Sequence, residues 1–327
     1  MAKQIQKGLV STIIPVFNRP EMIVNAVNSV LSQDYRPIEI IVIDDGSTDD
    51  TSKVLKAMDS QYSELTVLTQ KNSGPGVARE LGRQQASGEF LQYLDSDDVL
   101  LPNKFSLQVS ALNADSDMDV AYGKTERIKI GAQRQYKAWK QTAKKNNSMF
   151  PEFLCQRWWG TSSPLYRSEV TDIAGAWLPL INEEDWEYDT RIASLGGKLS
   201  FVNEFVSIQY YHDEHLSDQG SVDPLKLSHR CKARHEIYQN ALNYEDQFQI
   251  KLSSEYWMLF SKSAFHLARL CVDAKQKRES QKMIELSIQV CKDQNKPCRK
   301  QLVYRAILNT AGLTITSLLN RIVESVK

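Results

Sequence analysis

The sequence predicts an α/β fold in which helices flank a mostly parallel sheet, followed by a C-terminal helical region. Over the first hundred residues, short apolar, β-branched runs alternate with apolar residues spaced i, i+3 and i+4. This alternation is typical of parallel strands joined by crossover helices. Beyond Pro224 only long helical periodicities appear, which indicate a separate helical region.

Four strands and three helices are expected in the first part of the chain. The strands cover residues 9–17, 38–43, 66–68 and 89–94, and the helices cover residues 22–31, 48–58 and 77–86. Turn and cap residues such as Asn18-Arg19-Pro20 separate them. Ligands of such sheets bind outside the carboxyl ends of the strands. Because most of these strand ends are polar or acidic, we expect an acidic pocket there.

Composition excludes some classes of protein. The chain has 327 residues with 40 Lys and Arg against 40 Asp and Glu, which argues against a nucleic-acid partner bound through a global positive excess. Five scattered cysteines without a CxxC pair indicate a reducing compartment and no zinc ribbon. The start MAKQIQKG lacks a signal peptide's apolar stretch, and no apolar run approaches the roughly 18 residues of a membrane span. We therefore expect a cytoplasmic protein, with peripheral contact at the inner face of the membrane left open.

An acidic cluster follows the fourth expected strand. Asp95, Asp97 and Asp98 lie in one turn, and carboxylates this close repel one another unless a cation joins them. A few oxygen ligands suit Mn²⁺ or Mg²⁺ shared with substrate phosphates. The alternative is a solvated acidic turn that caps a helix at residues 99–101.

The ends of the expected strands carry four sequence segments in order: PVFNR at 15–19, IVIDDGSTD at 41–49, GPGVAR at 74–79 and GEFLQYLDSDD at 88–98. Together they resemble the family 2 glycosyltransferases, which have the GT-A fold, and the resemblance covers about residues 8–217. It implies a catalytic domain at 1–220, with a nucleotide-sugar-binding half at 1–100 and an acceptor-binding half at 101–220. The helical region would then cover 221–327.

The resemblance also implies roles for single residues. Asp45 would hydrogen-bond the nucleotide base, for which the imide N–H of uracil is a suitable donor, while Asp44 either shares in this or holds the turn. The other residues implied to bind the nucleotide-sugar are Pro15, Phe17, Asn18, Arg79, Asp95 and Ser96. The residues implied to hold Mn²⁺ or Mg²⁺ are Asp97 and Asp95 of the DXD motif and His212 of a later loop. Asp98 is a second candidate ligand, and His215 is an alternative to His212.

A later acidic segment supplies the expected base. The residues Asn182-Glu183-Glu184-Asp185-Trp186-Glu187 resemble the family's segment in which Asp185 would take the proton of the acceptor hydroxyl. We expect Glu183 and Glu184 to raise the pKa of Asp185 by like-charge repulsion. One base without a protein nucleophile implies inversion at the anomeric carbon. The alternative is that these acids only stabilise a helix N-terminus.

The implied reaction moves a sugar from a nucleotide-diphosphate sugar, expected to be a UDP-sugar, to a glycan or lipid-linked saccharide acceptor. Rival functions are a catalytically silent GT-A-like binding scaffold and a sugar nucleotidyltransferase. A dinucleotide-binding fingerprint at 74–79 is disfavoured because Arg79 is not small. The amphipathic stretch 302–326, expected as one helix, either docks on a membrane or packs against protein. Four tryptophans form either an acceptor platform or core: Trp158, Trp159, Trp177 and Trp186.

Overall fold

The computed structural model describes residues 4–211 and 223–325. Its strands are β1 (Gln6–Val16), β2 (Ile38–Asp44), β3 (Leu65–Thr69), β4 (Gly88–Tyr93), β5 (Val99–Leu100), β6 (Val120–Lys129), β7 (Leu165–Arg167) and β8 (Leu199–Tyr211). Its helices are α1 (Pro20–Leu31), α2 (Thr51–Gln61), α3 (Pro75–Gln85), α4 (Lys104–Ala114), α5 (Glu152–Cys155), α6 (Ser168–Ala174), α7 (Glu184–Ser194), α8 (Pro224–Phe248), α9 (Ser254–Asp273), α10 (Lys277–Asp293), α11 (Arg299–Thr310) and α12 (Gly312–Ser325).

These elements form two compact units. Unit 1 contains the described residues of 4–149 and 157–211, and unit 2 contains 150–156 and 223–325. Unit 1 holds one eight-stranded sheet in the order β3-β2-β1-β4-β7-β6-β8-β5. The pairs β1–β2, β1–β4, β2–β3 and β6–β8 are parallel, while β7 and the edge strand β5 run antiparallel to their neighbours. The expected mostly parallel sheet is confirmed.

The core forms where β1 and α1 bury their apolar residues together. The strand residues Val10 and Ile14 are fully buried, and so are Ile23 and Val27 of α1, which stand one helical turn apart. This pattern is the one that the i, i+3, i+4 spacing predicts for a helix lying on a sheet. The register then sets Val16 of β1 beside Asp44 of β2. The loops that follow these strands therefore leave the same edge of the sheet.

The structure corrects the expected helix at 99–101. Val99 and Leu100 form the edge strand β5, paired antiparallel with Ile208 and Ser207 of β8. A β-branched residue followed by a leucine fits a pleated edge as well as a helix start. Its pairing partners lie about a hundred residues further along the chain, so local sequence gives no sign of them.

Unit 2 consists of α5 and the helices from α8 to α12. The single helix expected over 302–326 is wrong, because α11 ends at Thr310 and α12 begins at Gly312. Gly312 has a φ of 75°, a conformation that glycine adopts without the steric cost of a side chain. Within the ranges that the structure describes, no helix is both long and apolar enough to cross a bilayer.

Candidate active site

The loops after β1 and β2 are tied together by Asn18. Asn18 has a φ of 52°, its backbone N–H donates to Ser47 Oγ at 3.0 Å, and its Oδ1 accepts from the Thr48 N–H at 2.8 Å. Asparagine tolerates this left-handed conformation better than most residues. The neighbouring Phe17 ring is 42% exposed, and Pro15 is half-buried. The end of β1 thus presents an apolar ring on a fixed loop.

Asp44 and Asp45 are both buried, but they hold different parts of the chain. Asp44 holds its own turn, since its carboxylate accepts from the Ser47 N–H at 2.8 Å and from the Ser52 hydroxyl. The Asp45 Oδ1 accepts from Gln70 Nε2 at 2.7 Å and from the Ser73 N–H at 2.8 Å, and its Oδ2 accepts from the Gly74 N–H at 2.8 Å. Asp45 therefore orders the loop before α3, and base binding by Asp45 stays a prediction.

The start of α3 lies against the segment that precedes α7. A Cβ added at Gly76 would lie 2.3 Å from the Leu178 carbonyl oxygen, and one at Gly74 would lie 2.6 Å from Ile181 Cγ2. Close approach of another chain segment therefore requires these glycines. Packing against protein accounts for the glycines that resemble a dinucleotide fingerprint.

Asp97 is paired with an arginine that the sequence analysis did not single out. The Arg19 Nη1 lies 2.6 Å from Asp97 Oδ2, with side chains 18% and 7% exposed. The Arg19 backbone N–H donates to Thr51 Oγ1 at 2.9 Å, which fixes the loop that carries it. This ion pair joins the end of β1 to the acidic cluster after β4.

Asp98 is turned into the fold. It is 1% exposed, and one of its carboxylate oxygens accepts from the Tyr210 N–H at 3.2 Å. Burial raises the pKa of Asp98 well above its ordinary value, and repulsion from Asp97 and Asp95 adds to the effect. A freely solvated acidic turn is therefore wrong for this residue.

The donor chemistry of Asp95 and Asp97 fits Mn²⁺ or Mg²⁺. Both offer carboxylate oxygens from one turn, and these cations are commonly held by one or two carboxylates together with substrate phosphates. No three His, Cys, Asp or Glu side chains within 4–211 and 223–325 form a group that could hold a metal by themselves. His212 and its alternative His215 lie outside the described residues, so their part in the site stays a prediction, as do the roles of Asp95, Ser96 and Asp97.

Arg79 connects the acidic cluster to the start of α7. Its Nη2 lies 2.6 Å from Asp95 Oδ1, and its Nη1 lies 2.7 Å from Glu184 Oε1. The guanidinium is buried and stands 5.0 Å from the ring centroid of Trp177. Two carboxylates and an aromatic face thus hold one buried cation between the two halves of unit 1.

Asp185 lies in the first turn of α7 against a second buried arginine. Its Oδ2 lies 2.6 Å from Arg157 Nη1 and accepts from Thr161 Oγ1 at 3.3 Å. The Arg157 Nε lies 2.6 Å from Asp189 Oδ2, and Asp189 is itself fixed by further hydrogen bonds. The orientation of Arg157, and through it that of Asp185, is therefore set by buried groups.

The pKa of Asp185 is lowered, so the expected increase is wrong. Burial by itself raises it, but the charges of Arg157 and Arg79 outweigh burial, and Lys140 adds to them. The sequence shows the neighbouring acids but gives no sign that Arg157 and Lys140 lie close to Asp185. Asp185 is an ionised carboxylate at neutral pH, as a proton acceptor must be.

Glu184 behaves in the opposite way. Burial raises its pKa to about 7, with the charge of Asp185 adding to the increase and Arg79 opposing it. Two adjacent carboxyl groups thus have pKa values that are pushed apart, which is a common property of sites that move protons.

Three of the four tryptophans belong to the core. Trp158 and Trp159 are fully buried, and Trp177 is buried with its ring stacked on Tyr188 at 4.1 Å between centroids. An acceptor platform is wrong for these three residues, because their faces are covered by other side chains. Trp186 is half-buried, so an acceptor platform stays a prediction for this residue.

The most informative residues missed from the sequence are Arg19 and Arg157. Arg19 lies inside the matching segment at 15–19, so its position was a usable signal. Arg157 contacts residues 28 and 32 positions further along the chain, which no local pattern indicates.

Part of the chain is similar in sequence to known glycosyltransferases. Residues 11–168 match the family described as "Glycosyl transferase family 2". An uncharacterized glycosyltransferase of Rickettsia bellii is 34% identical over 155 residues, which are 47% of this chain and 22% of that protein. The Campylobacter jejuni GalNAc(5)-diNAcBac-PP-undecaprenol beta-1,3-glucosyltransferase is 37% identical over 105 residues, 32% of this chain and 34% of that protein. Each match spans well under half of the relative's length.

Solved structures share the fold. S. aureus TarS 1-349 in complex with UDP-GlcNAc matches with a TM-score of 0.59 at 17% identity, over 88% of this chain and 92% of that chain. The mannosyltransferase PcManGT from Pyrobaculum calidifontis, in complex with GDP-Man and Mn²⁺, matches with a TM-score of 0.55 at 15% identity, over 96% of this chain and 86% of that chain. The expected GT-A fold with C-terminal helices is confirmed. Residues 11–168, a little under half of the chain, therefore carry a domain similar to glycosyl transferase family 2.

Proposed function

We propose that the chain is an inverting, metal-dependent glycosyltransferase that moves a sugar from a UDP-sugar to a hydroxyl of a glycan or lipid-linked saccharide. The observation that carries the proposal is the run of contacts from Asp95 through Arg79 to Glu184 and the adjacent Asp185. It brings the residues expected to bind the donor and the residue expected to act as base into one connected site.

Residues at the strand ends would bind the donor. Asp45 and the Pro15–Asn18 loop would surround the base and ribose, and Asp95 with Ser96 would lie at the diphosphate. Asp97 and Asp95 would hold Mn²⁺ or Mg²⁺, with His212 as a further ligand; when bound, the ion would neutralise the diphosphate and make it a better leaving group. Arg19 would have to release Asp97 for this purpose.

Asp185 would take the proton of the acceptor hydroxyl as its oxygen attacks the anomeric carbon. The lowered pKa keeps Asp185 ionised before substrates arrive. An acceptor that excludes water, and a donor that brings negative charge, would both raise that pKa and so strengthen the base when the site is full. Direct displacement with this single base inverts the anomeric centre.

The named relatives support the substrate classes. The TarS and PcManGT complexes contain nucleotide sugars, and the Campylobacter jejuni relative is named for a lipid-linked undecaprenol substrate. Leu302, Ile315 and Leu318 in α11 and α12 are 38%, 51% and 58% exposed, which supports peripheral contact with a membrane that carries such an acceptor.

The test combines donor binding with transfer. Thermal shifts with UDP-, GDP-, dTDP- and CDP-sugars should show stabilisation by UDP-sugars that depends on Mn²⁺ and is lost in Asp97→Ala. Asp185→Asn should keep this stabilisation and lose transfer by about a hundredfold or more. Asp172→Asn, which alters an exposed acid paired with Arg83, is the matched control and should transfer normally. Stabilisation by no nucleotide would favour the scaffold, and full transfer by Asp185→Asn would exclude its role as base.

A further inference from the structure

A cavity lies in unit 1, where the chain turns back along β6. Its volume is about 210 Å³, and its lining residues are Glu126, Arg127, Gln135, Lys137, Ala138, Trp139 and Lys140. The returning segment is fixed by backbone pairing, since Ala138 bridges to Glu126 and the Trp139 N–H donates to the Thr125 carbonyl at 2.7 Å. The wall of the cavity is therefore built by main-chain hydrogen bonds.

The cavity has an excess of positive charge. Its one acid, Glu126, is fully buried and committed to Arg134 Nε at 2.7 Å and to two backbone N–H groups. Among the residues that the structure describes, no carboxylate forms an ion pair with Arg127, Lys137 or Lys140. Three cations thus line a small concave site whose only acid is already neutralised.

Aromatic rings orient two of these cations. Lys140 Nζ lies 4.2 Å from the ring centroid of Trp139, and the Arg127 guanidinium lies 5.4 Å from both the Trp139 and Tyr211 rings. Contacts with ring faces hold a cation in place without removing its charge. The cations are therefore pre-organised for an anion.

The cavity is connected to the candidate base through a single residue. Lys140 Nζ donates to the Arg157 carbonyl at 2.6 Å, and the Arg157 side chain is paired with Asp185. The cavity volume of about 210 Å³ is smaller than that of sites that enclose a whole ligand, which is usually about 300–1,000 Å³. The space suits one substituent of a molecule whose reacting hydroxyl lies at Asp185.

We propose that this cavity binds an oxyanion of the acceptor, a phosphate or a carboxylate, and that the acceptor is therefore an anionic saccharide. The inference rests on the proposed function, because it places the acceptor beside Asp185. It adds the chemical class of the acceptor and the side chains that select it.

The test is calorimetric titration of the full chain with glucose 6-phosphate, glucuronate and glucose. We expect at least one of the two anions to bind about tenfold or more tightly than glucose, and the stronger of the two identifies phosphate or carboxylate. The double variant Arg127→Gln/Lys137→Gln should lose this preference. Lys129→Gln, an exposed lysine two residues along β6 and outside the cavity, should keep it.

Charge reversal in Lys137→Glu provides a second variant if loss of the Arg127 ring contacts unfolds the first. Equal binding of the two anions and glucose, or equal loss in Lys129→Gln, would overturn the inference. Stabilisation by UDP-sugar with Mn²⁺ does not involve these side chains, so it separates the two proposals. If UDP-sugar with Mn²⁺ stabilises the protein but the anions bind no better than glucose, only this inference is wrong. If the anions bind better than glucose but UDP-sugar with Mn²⁺ gives no stabilisation, the proposed donor reaction is wrong.

Discussion

Replacing Arg157 by Gln should raise the pKa of Asp185, because it removes an ion pair whose positive charge lowers that pKa. The Arg157 Nη1 and Asp185 Oδ2 are 2.6 Å apart, and the side chains are 9% and 27% exposed. Unit charges about 4 Å apart interact by about 4 kcal/mol at an effective dielectric constant of about 20, and this energy is the upper limit of the interaction that Arg157→Gln removes. Partial exposure of Asp185 and the charges of Arg79 and Lys140 reduce the expected change.

The assay is an NMR titration of protein labelled with ¹³C-aspartate, in which Asp185→Asn assigns the signal. Arg191→Gln is the matched control, because it removes a 2.6 Å ion pair with Glu187 on the same helix and leaves Asp185 untouched. Arg157→Lys should restore most of the lowered pKa, since it keeps the charge. In a transfer assay the acid limb of the pH–rate profile should move to higher pH in Arg157→Gln. A change in titration midpoint below about 0.3 unit would refute the assignment of Arg157 as the main cause.

Three further substitutions test other contacts of the site. Arg19→Gln removes the cation that neutralises Asp97, so Mn²⁺ should bind the donor-free protein about tenfold more tightly by EPR titration, and unchanged affinity would exclude competition between them. The pKa of Glu184 is raised to about 7 in the folded protein, above its unfolded value. Protonation of Glu184 therefore stabilises the folded state fully below about pH 4.5, and this stabilisation is lost as the pH rises through 7. Glu184→Gln should remove this pH-dependent loss of unfolding free energy, which amounts to at most about 3 kcal/mol and is measured by urea unfolding at a series of pH values. Parallel curves of unfolding free energy against pH for the two proteins would contradict the prediction. Gly76→Ala, whose Cβ would meet the Leu178 carbonyl oxygen at 2.3 Å, should cost about 1–3 kcal/mol of unfolding free energy, and a neutral result would mean that the 178–181 segment yields easily.

Residues 1–100 could be predicted from sequence because their signals are local. β1 and β2 are rich in buried, β-branched residues, and the helices α1 and α2 each bury apolar residues three or four positions apart. Since parallel strands end at a common edge, the acids at 44–45 and 95–98 could be placed together before any coordinates were known.

Residues 101–211 could not be predicted in the same way. The three-residue strand β7 enters the sheet between β4 and β6, and β6 pairs with β8 about eighty residues away. Two of the three cations that lower the pKa of Asp185, Arg157 and Lys140, come from residues 101–211, so the direction of the pKa shift depends on contacts that sequence spacing does not reveal. The break at Gly312 was missed because the apolar periodicity continues across it.

The contact of α3 with the segment before α7 has a consequence for protein engineering. Gly76 touches Leu178, and three residues further along α3 Arg79 binds Glu184, so α3 is attached both to the segment before α7 and to the first residue of α7. A chimera that imports residues from 101 onward from a relative would separate these partners. Residues 74–79 and 178–185 form one interchangeable module, and swaps that keep them together should preserve the position of Asp185.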